Sequence, residues 1–157
     1  MDPRIGSTPP KLPCQPASYR GSKGWLLYKA SIYGALETCT LLQDRGVNLE
    51  YAHALHGAAR GGPSRIPIIR HLLDKKYLEV NKLDIYHLPH IGTPLLAAIL
   101  AGHTEVVRVL LDYGANPHAC KKSPYEATTL STAEALARPD EESSKLILIM
   151  LKEAVEK

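Results

Sequence analysis

The sequence predicts an all-α solenoid of stacked helix-turn-helix units with protruding loops, and three observations predict it. The first is internal repetition. Leu27, Ala30, Gly34, Glu37, Leu42, Asp44, Gly46 and Asn48 recur 68 residues later as Leu95, Ala98, Gly102, Glu105, Leu110, Asp112, Gly114 and Asn116, eight identities in 22 positions. Such an offset is twice 34, and periods of roughly 20–50 residues mark solenoids and arrays. The second is punctuation, with Thr-Pro opening a short apolar stretch and Gly closing it. The third is composition. The chain of 157 residues is 45% hydrophobic, with one Trp and no Phe, so its core is assembled from Leu, Ile, Val and Ala. Its longest apolar runs, Leu95–Ala101 and Leu146–Leu151, are seven and six residues. A membrane-spanning helix needs roughly 20, so no membrane span is expected.

Taken in order, residues 1–24 are rich in Pro, Gly, Ser and Lys and have no apolar stretch of the secretory-signal kind. They are expected to form a disordered leader. Pro10–Lys11–Leu12–Pro13 has the spacing of a polyproline docking motif, but a plain linker is the simpler reading. The first unit, about residues 25–52, has Trp25 and Leu26 where the third has Thr93 and Pro94, so its helix start is less sharply marked. In the second unit, about 53–91, Leu55–Gly62 leads into Ile69–Asp74 with two extra residues around Pro63–Pro67. This unit lacks a closing Gly and has Lys75–Lys76–Tyr77 instead; a long His- and Tyr-containing loop follows from Asn81 to Gly92.

The third unit, about 92–122, is the clearest. Thr93 is placed to cap a helix that has Pro94 in its first turn, and Gly102 ends it. Thr104 is expected to cap a second helix, with Glu105 in its first turn and an apolar run through Val106, Val107, Val109, Leu110 and Leu111. Gly114 closes that helix, and Asn116–Pro117 open an extended turn. A fourth, weaker unit runs over about 123–155, its Lys145–Lys152 standing where Glu105–Asp112 stand in the third. Asp140–Glu141–Glu142 place negative charge at the start of its last helix. One such unit is too small to fold alone, so neighbours must cover its apolar sides.

Thr93–Pro94–Leu95–Leu96–Ala97–Ala98, Gly102–His103–Thr104–Glu105–Val106–Val107 and Gly114–Ala115–Asn116–Pro117 resemble the ankyrin repeat. The likeness covers about residues 25–155, and its loose spacing is similar to the divergent arrays abundant in fungi. His56 keeps the His of the family motif, whereas Leu96 replaces it in the third unit. The resemblance implies an ankyrin-repeat solenoid whose protruding loops are β-turn fingers, without a catalytic centre, binding another protein through finger tips and a concave helix face. Mapped onto this chain, the contact residues it implies are Lys29, Tyr33, Tyr51, Arg60, Lys82, Tyr86, His87, Leu100, Lys121 and Lys122. Ala97 falls among the same inner-helix positions.

Other chemistries find little support. Seven histidines include the pair His87 and His90, but no set of three or four ligands has zinc spacing, so no metal or other cofactor is expected. Gly57–Gly62 is glycine-containing yet lacks the Lys-Ser/Thr of a phosphate loop. The net charge of +3 is modest. Arg60, Arg65, Arg70, His71, Lys75, Lys76 and Lys82 nevertheless cluster in the second unit, which keeps a basic, nucleic-acid-associated surface as an alternative to a protein partner. Three scattered cysteines, Cys14, Cys39 and Cys120, fit a reducing compartment, cytoplasm or nucleus. The apolar Leu146–Leu151 run adds two expectations: self-association through the C-terminal helix, or a chain that is a fragment of a larger multidomain array.

Overall fold

Leu27, Leu55 and Leu95, the equivalent leucines of the first three units, are all fully buried in one continuous hydrophobic core. Each contributes roughly 1.5–3 kcal/mol by leaving water. The computed structural model describes residues 23–47, 53–83, 92–119, 129–136 and 141–156. The first unit is α1 (Lys23–Tyr33) and α2 (Leu36–Asp44). The second is α3 (Ala54–Gly61), a 3₁₀ turn over Pro63–Arg65, and α4 (Ile66–Asp74). The third is α5 (Pro94–Leu100) and α6 (Thr104–Asp112), and a fourth pair is α7 (Thr129–Leu136) and α8 (Glu142–Val155). The first helices form one row, α1 against α3 against α5 against α7. In the second row α2 packs on α4 and α6 on α8. There is no strand among the described residues.

The local readings hold with two corrections, at Thr104 and Ala97. Thr93 caps α5 as expected, its Oγ1 accepting from the Leu96 amide at 3.2 Å. Thr104 does not cap α6. It is the first helical residue, and His103 holds the cap position without a side-chain cap bond. The His103 ring is engaged elsewhere, with Nε2 3.1 Å from the Arg60 carbonyl of the preceding unit. In the first unit, whose helix start the sequence marks less sharply, the helix begins at Lys23. Ala97, expected on an exposed inner-helix position, is 2% exposed because α3 and α7 flank α5.

Three outer helices end identically although one lacks glycine. Gly46, Lys76 and Gly114 have left-handed φ of 78°, 53° and 82°. Their amides donate to the carbonyls of Gln43, Leu73 and Leu111, and the following amides to Leu42, Leu72 and Leu110, all at 2.8–3.2 Å. This is the Schellman closure, which satisfies carbonyls the helix end would leave unpaired. A side chain in that conformation costs about 1 kcal/mol. Lys76→Gly is therefore expected to raise unfolding stability by about 1 kcal/mol in urea titrations. An unchanged or lowered midpoint would show that the second unit bears no such strain.

Fingers and histidines tie the units together. Asn81 is bonded to the third unit at both ends of its amide, accepting from the Asn116 amide at 2.7 Å and donating to the Gly114 carbonyl at 3.3 Å. Asn116 accepts from the His118 amide, which holds the start of the next turn. His56 Nε2 lies 3.1 Å from the Gly92 carbonyl, and His71 Nε2 lies 3.0 Å from Gln43 Oε1.

The last helix is apolar in sequence on all sides but not in place. Ile147, Met150 and Leu151 are buried, while Leu146 and Ile149 are 37% and 53% exposed. Exposed Glu142, Lys145, Lys152 and Glu153 frame those two residues. Ser143 and Ser144 donate to the Glu141 carboxylate at 3.0 and 3.1 Å, tying the helix start.

Candidate protein-binding face

The inner helices α3 and α5 are buried along most of their length, so what they leave exposed is concentrated at their C-terminal ends. Tyr33 is the last residue of α1, Arg60 the penultimate residue of α3, and Leu100 the last residue of α5. Tyr33 is 71% exposed, Leu100 is 45% exposed and Arg60 is also exposed. Arg60 and Leu100 occupy the same register position, equivalent to Ile32 of α1, while Tyr33 stands one position further on, where the second unit has Gly61. These residue types recur as anchors of protein interfaces, the aromatic and Arg above all.

Lys29 is placed differently from Arg60 and Leu100. In the repeat register Lys29 and Tyr33 stand where Gly57 and Gly61 stand in the second unit. Those glycines lie against Tyr28, Ser31 and Ile32 of α1. The equivalent side of α1 therefore faces away from the second unit. Trp25, Lys29 and Tyr33 follow one another at i, i+4 and i+8 along that side. The Lys29 ammonium lies 5.4 Å from the centre of each ring. Each such cation–π contact contributes roughly 0.5–1 kcal/mol at an exposed site. Sequence reasoning missed Trp25 as part of this stripe, although the spacing was there to be read. It also missed Leu26, which is 51% exposed beside the stripe.

The basic residues of the second unit do not share a face. Arg60 is at the end of an inner helix, while Arg70, Lys75 and Lys76 lie on or just after the outer helix α4. Arg65 is turned into the structure, donating to the carbonyls of Ile32 and Tyr33 at 2.9 and 3.3 Å and to that of Gly34. His71 is engaged by Gln43. Arg70 faces the Tyr113 hydroxyl, which donates to Asp74; that bond holds the phenol above its ordinary range. Lys82 is half-buried beside Asn81. Tyr51, Tyr86, His87, Lys121 and Lys122, expected at the finger tips, lie outside the described residues, as do His90, Cys14, Cys120 and the leader through residue 22.

Charge is divided only in part between the two rows of helices, since α7 of the first-helix row carries exposed Glu134. The described side chains of α1, α3 and α5 include Lys29 and Arg60 and no carboxylate. The outer helices α2, α4 and α6 carry Glu37, Asp44, Asp74, Glu105 and Asp112, all exposed, against Arg70 and Arg108. Among the described residues no three His, Cys, Asp or Glu side chains are grouped as metal ligands. Cys39 is buried, and burial pushes its thiol above the usual range. No helix among the described residues is long and apolar enough to cross a membrane.

Stacked helix pairs with Schellman-closed outer helices and hydrogen-bonded turns define a helical repeat solenoid of the protein-binding class. Residues 26–121 match the family model of ankyrin repeats in three copies, and the chain belongs to the ankyrin-repeat family. The family mediates protein–protein interaction. No curated protein matches the chain.

Proposed function

We propose that this chain is a rigid protein-binding module whose inner-helix face and finger tips hold a partner protein without a catalytic step. The observation that carries it is the exposure of Tyr33, Arg60 and Leu100 at the C-terminal ends of three successive inner helices, Arg60 and Leu100 at the same register position. Their backbones are already fixed by the stack, so a partner meets a preformed surface and little ordering cost is incurred. The finger residues Tyr51, Lys82, Tyr86, His87, Lys121 and Lys122 belong to the same reading. The partner is expected in the cytoplasm or nucleus, where a free thiol such as Cys39 stays reduced.

The test compares wild type with a Tyr33→Ala/Leu100→Ala variant. A partner captured by wild type from lysate is purified and titrated against both proteins by calorimetry. The affinity is expected to fall at least tenfold in the variant, with the melting temperature lowered by only a few degrees through loss of the Lys29–Tyr33 contact. Equal affinity would remove the inner-helix face from the reading. A Tyr86→Ala/Lys122→Ala pair tests the fingers in the same titration.

The exposed Leu146 and Ile149 favour a second reading, self-association through α8. A concentration-dependent mass in light scattering, lost in Ile149→Glu, supports it; a constant monomer mass rejects it.

A further inference from the structure

We infer that copies of this chain stack head to tail, the side of α1 that faces away from the second unit meeting the side of α7 that faces away from the third unit in another copy. This goes beyond the self-association reading, which uses α8, and beyond the binding of a different protein. Within the chain, neighbouring inner helices meet by fixed positions. The Cβ position of Gly57 on α3 lies 3.2 Å from Ser31 Cβ and 3.1 Å from Tyr28 Cδ2 on α1. The Tyr28 and Ser31 positions thus face the following unit, and the Gly57 position faces the preceding one. His56 and Ala59 hold the first two positions in α3, Leu96 and Ile99 hold them in α5, and all four are buried. In α7 they are exposed. Thr129 opens α7 as Pro94 opens α5, and Ala133 is buried as Ala98 is, which places Ser131 and Glu134 at those positions. Both are exposed.

The two sides are complementary in charge and in size. Lys29 stands where Gly57 stands. The contact that Gly57 makes with Ser31 within the chain is therefore made between copies by Lys29 with Glu134, a cation with a carboxylate. Within the chain a glycine leaves room for Tyr28, whereas between copies the small Ser131 stands opposite the long Lys29. Leu26 is exposed where its equivalent Ala54 is buried, and Tyr33 is exposed where Gly61 is half-buried. Both side chains would lose contact with water on stacking, which adds an apolar contribution to the charge pair. Opposite charges fix the register and direction of such a contact more than its strength. Its two surfaces differ, so it is heterologous and can repeat without closing. A contact of this extent falls below the roughly 1,200 Å² of stable complexes, so the association is weak and is sought at high protein concentration.

Sedimentation velocity of the full chain over a concentration series at low salt is the test. The expected result is a mean mass that climbs past twice the monomer without a plateau. Lys29→Glu and Glu134→Lys should each weaken association at least tenfold, because each sets like charges together. Mixing the two variants should restore it, since every contact in an alternating stack again joins opposite charges. That rescue cannot come from variants that fail to fold. Lys75→Glu, on the outer side, should match wild type. Trp25 is the one tryptophan in the chain and lies beside Lys29, so its emission should change over the same concentration range. A constant monomer mass would overturn the inference, as would two variants that stay monomeric when mixed. A mass that levels off at the dimer, is lost in Ile149→Glu and is unaffected by Lys29→Glu would also overturn it, and would leave the α8 reading standing. If no association is seen while the Tyr33/Leu100 variant still loses its captured partner, the head-to-tail stack falls and the binding-module reading stands.

Discussion

Gly57→Val is expected to unfold the first unit from the second, lowering overall stability by about 3 kcal/mol or more. A Cβ at Gly57 would lie 2.9 Å from the Tyr28 carbonyl oxygen, 3.1 Å from Tyr28 Cδ2 and 3.2 Å from Ser31 Cβ. The nearest of these is helix backbone, which cannot swing aside as a side-chain tip does. Ser31 is itself fixed, with Oγ donating to the Leu27 carbonyl at 2.7 Å. Gly61, one turn later, is equally confined, with the Ile32 carbonyl 2.7 Å from its Cβ position. The two glycines form the flat side on which α1 and α3 approach.

Gly57→Ala separates this explanation from ordinary helix propensity. Alanine gains up to about 1 kcal/mol inside a helix, so relief of that kind alone would stabilise the protein. A destabilised Gly57→Ala, with Gly57→Val far worse, is the steric outcome. Urea melts and hydrogen exchange over residues 23–47 measure both. A stabilised alanine variant would show that the helices have room to separate.

How much of this was legible depends on whether the cause was local. The helix pairs were, because caps, closing glycines and apolar spacing act within a few residues. Thr93, Gly46, Gly102 and Gly114 were readable in that way. The same logic failed where equal letters do unequal work. Gly34 and Gly102 align in the repeat, yet Gly102 takes φ of 72° while Gly34 has no left-handed φ and sits against the Ala30 carbonyl. Conversely Lys76 takes the glycine conformation without being glycine, because neighbouring units over-determine the closure. For the candidate face, Tyr33, Arg60 and Leu100 were reached only through the family resemblance, which marks inner-helix positions as contacts. The Trp25–Lys29–Tyr33 stripe needed the observation that Gly57 and Gly61 face the preceding unit. Ala97 was misplaced because burial by neighbouring units has no signature within a single unit.

Arg65 was the furthest from reach, and its loss is the second large effect expected. The sequence offered it as one of several surface cations, but its partners are 31–33 residues away. The two extra residues of the second unit shape the Pro63–Arg65 turn, which aims the guanidinium back at the end of α1. There it donates to the carbonyls of Ile32, Tyr33 and Gly34. These are the acceptors that α1 leaves without a left-handed glycine to close it, and they lie at the negative end of its dipole. Arg65→Ala therefore removes charged hydrogen bonds from two part-buried acceptors and one exposed one, at a cost of about 2 kcal/mol. Arg65→Lys should recover less than half, because one ammonium cannot span three carbonyls as the planar fork does. In a stack whose units couple only to neighbours, the loss should appear first as fraying of residues 23–47 and a lower urea m-value. Combined with Gly61→Ala the effect should be less than additive, since the Arg65 stem lies 2.7 Å from the Gly61 Cβ position and is already displaced in that variant. Full retention of exchange protection in residues 23–47 in Arg65→Ala would mean that water replaces the guanidinium at no cost, and the inserted turn would then have no part in holding the first unit.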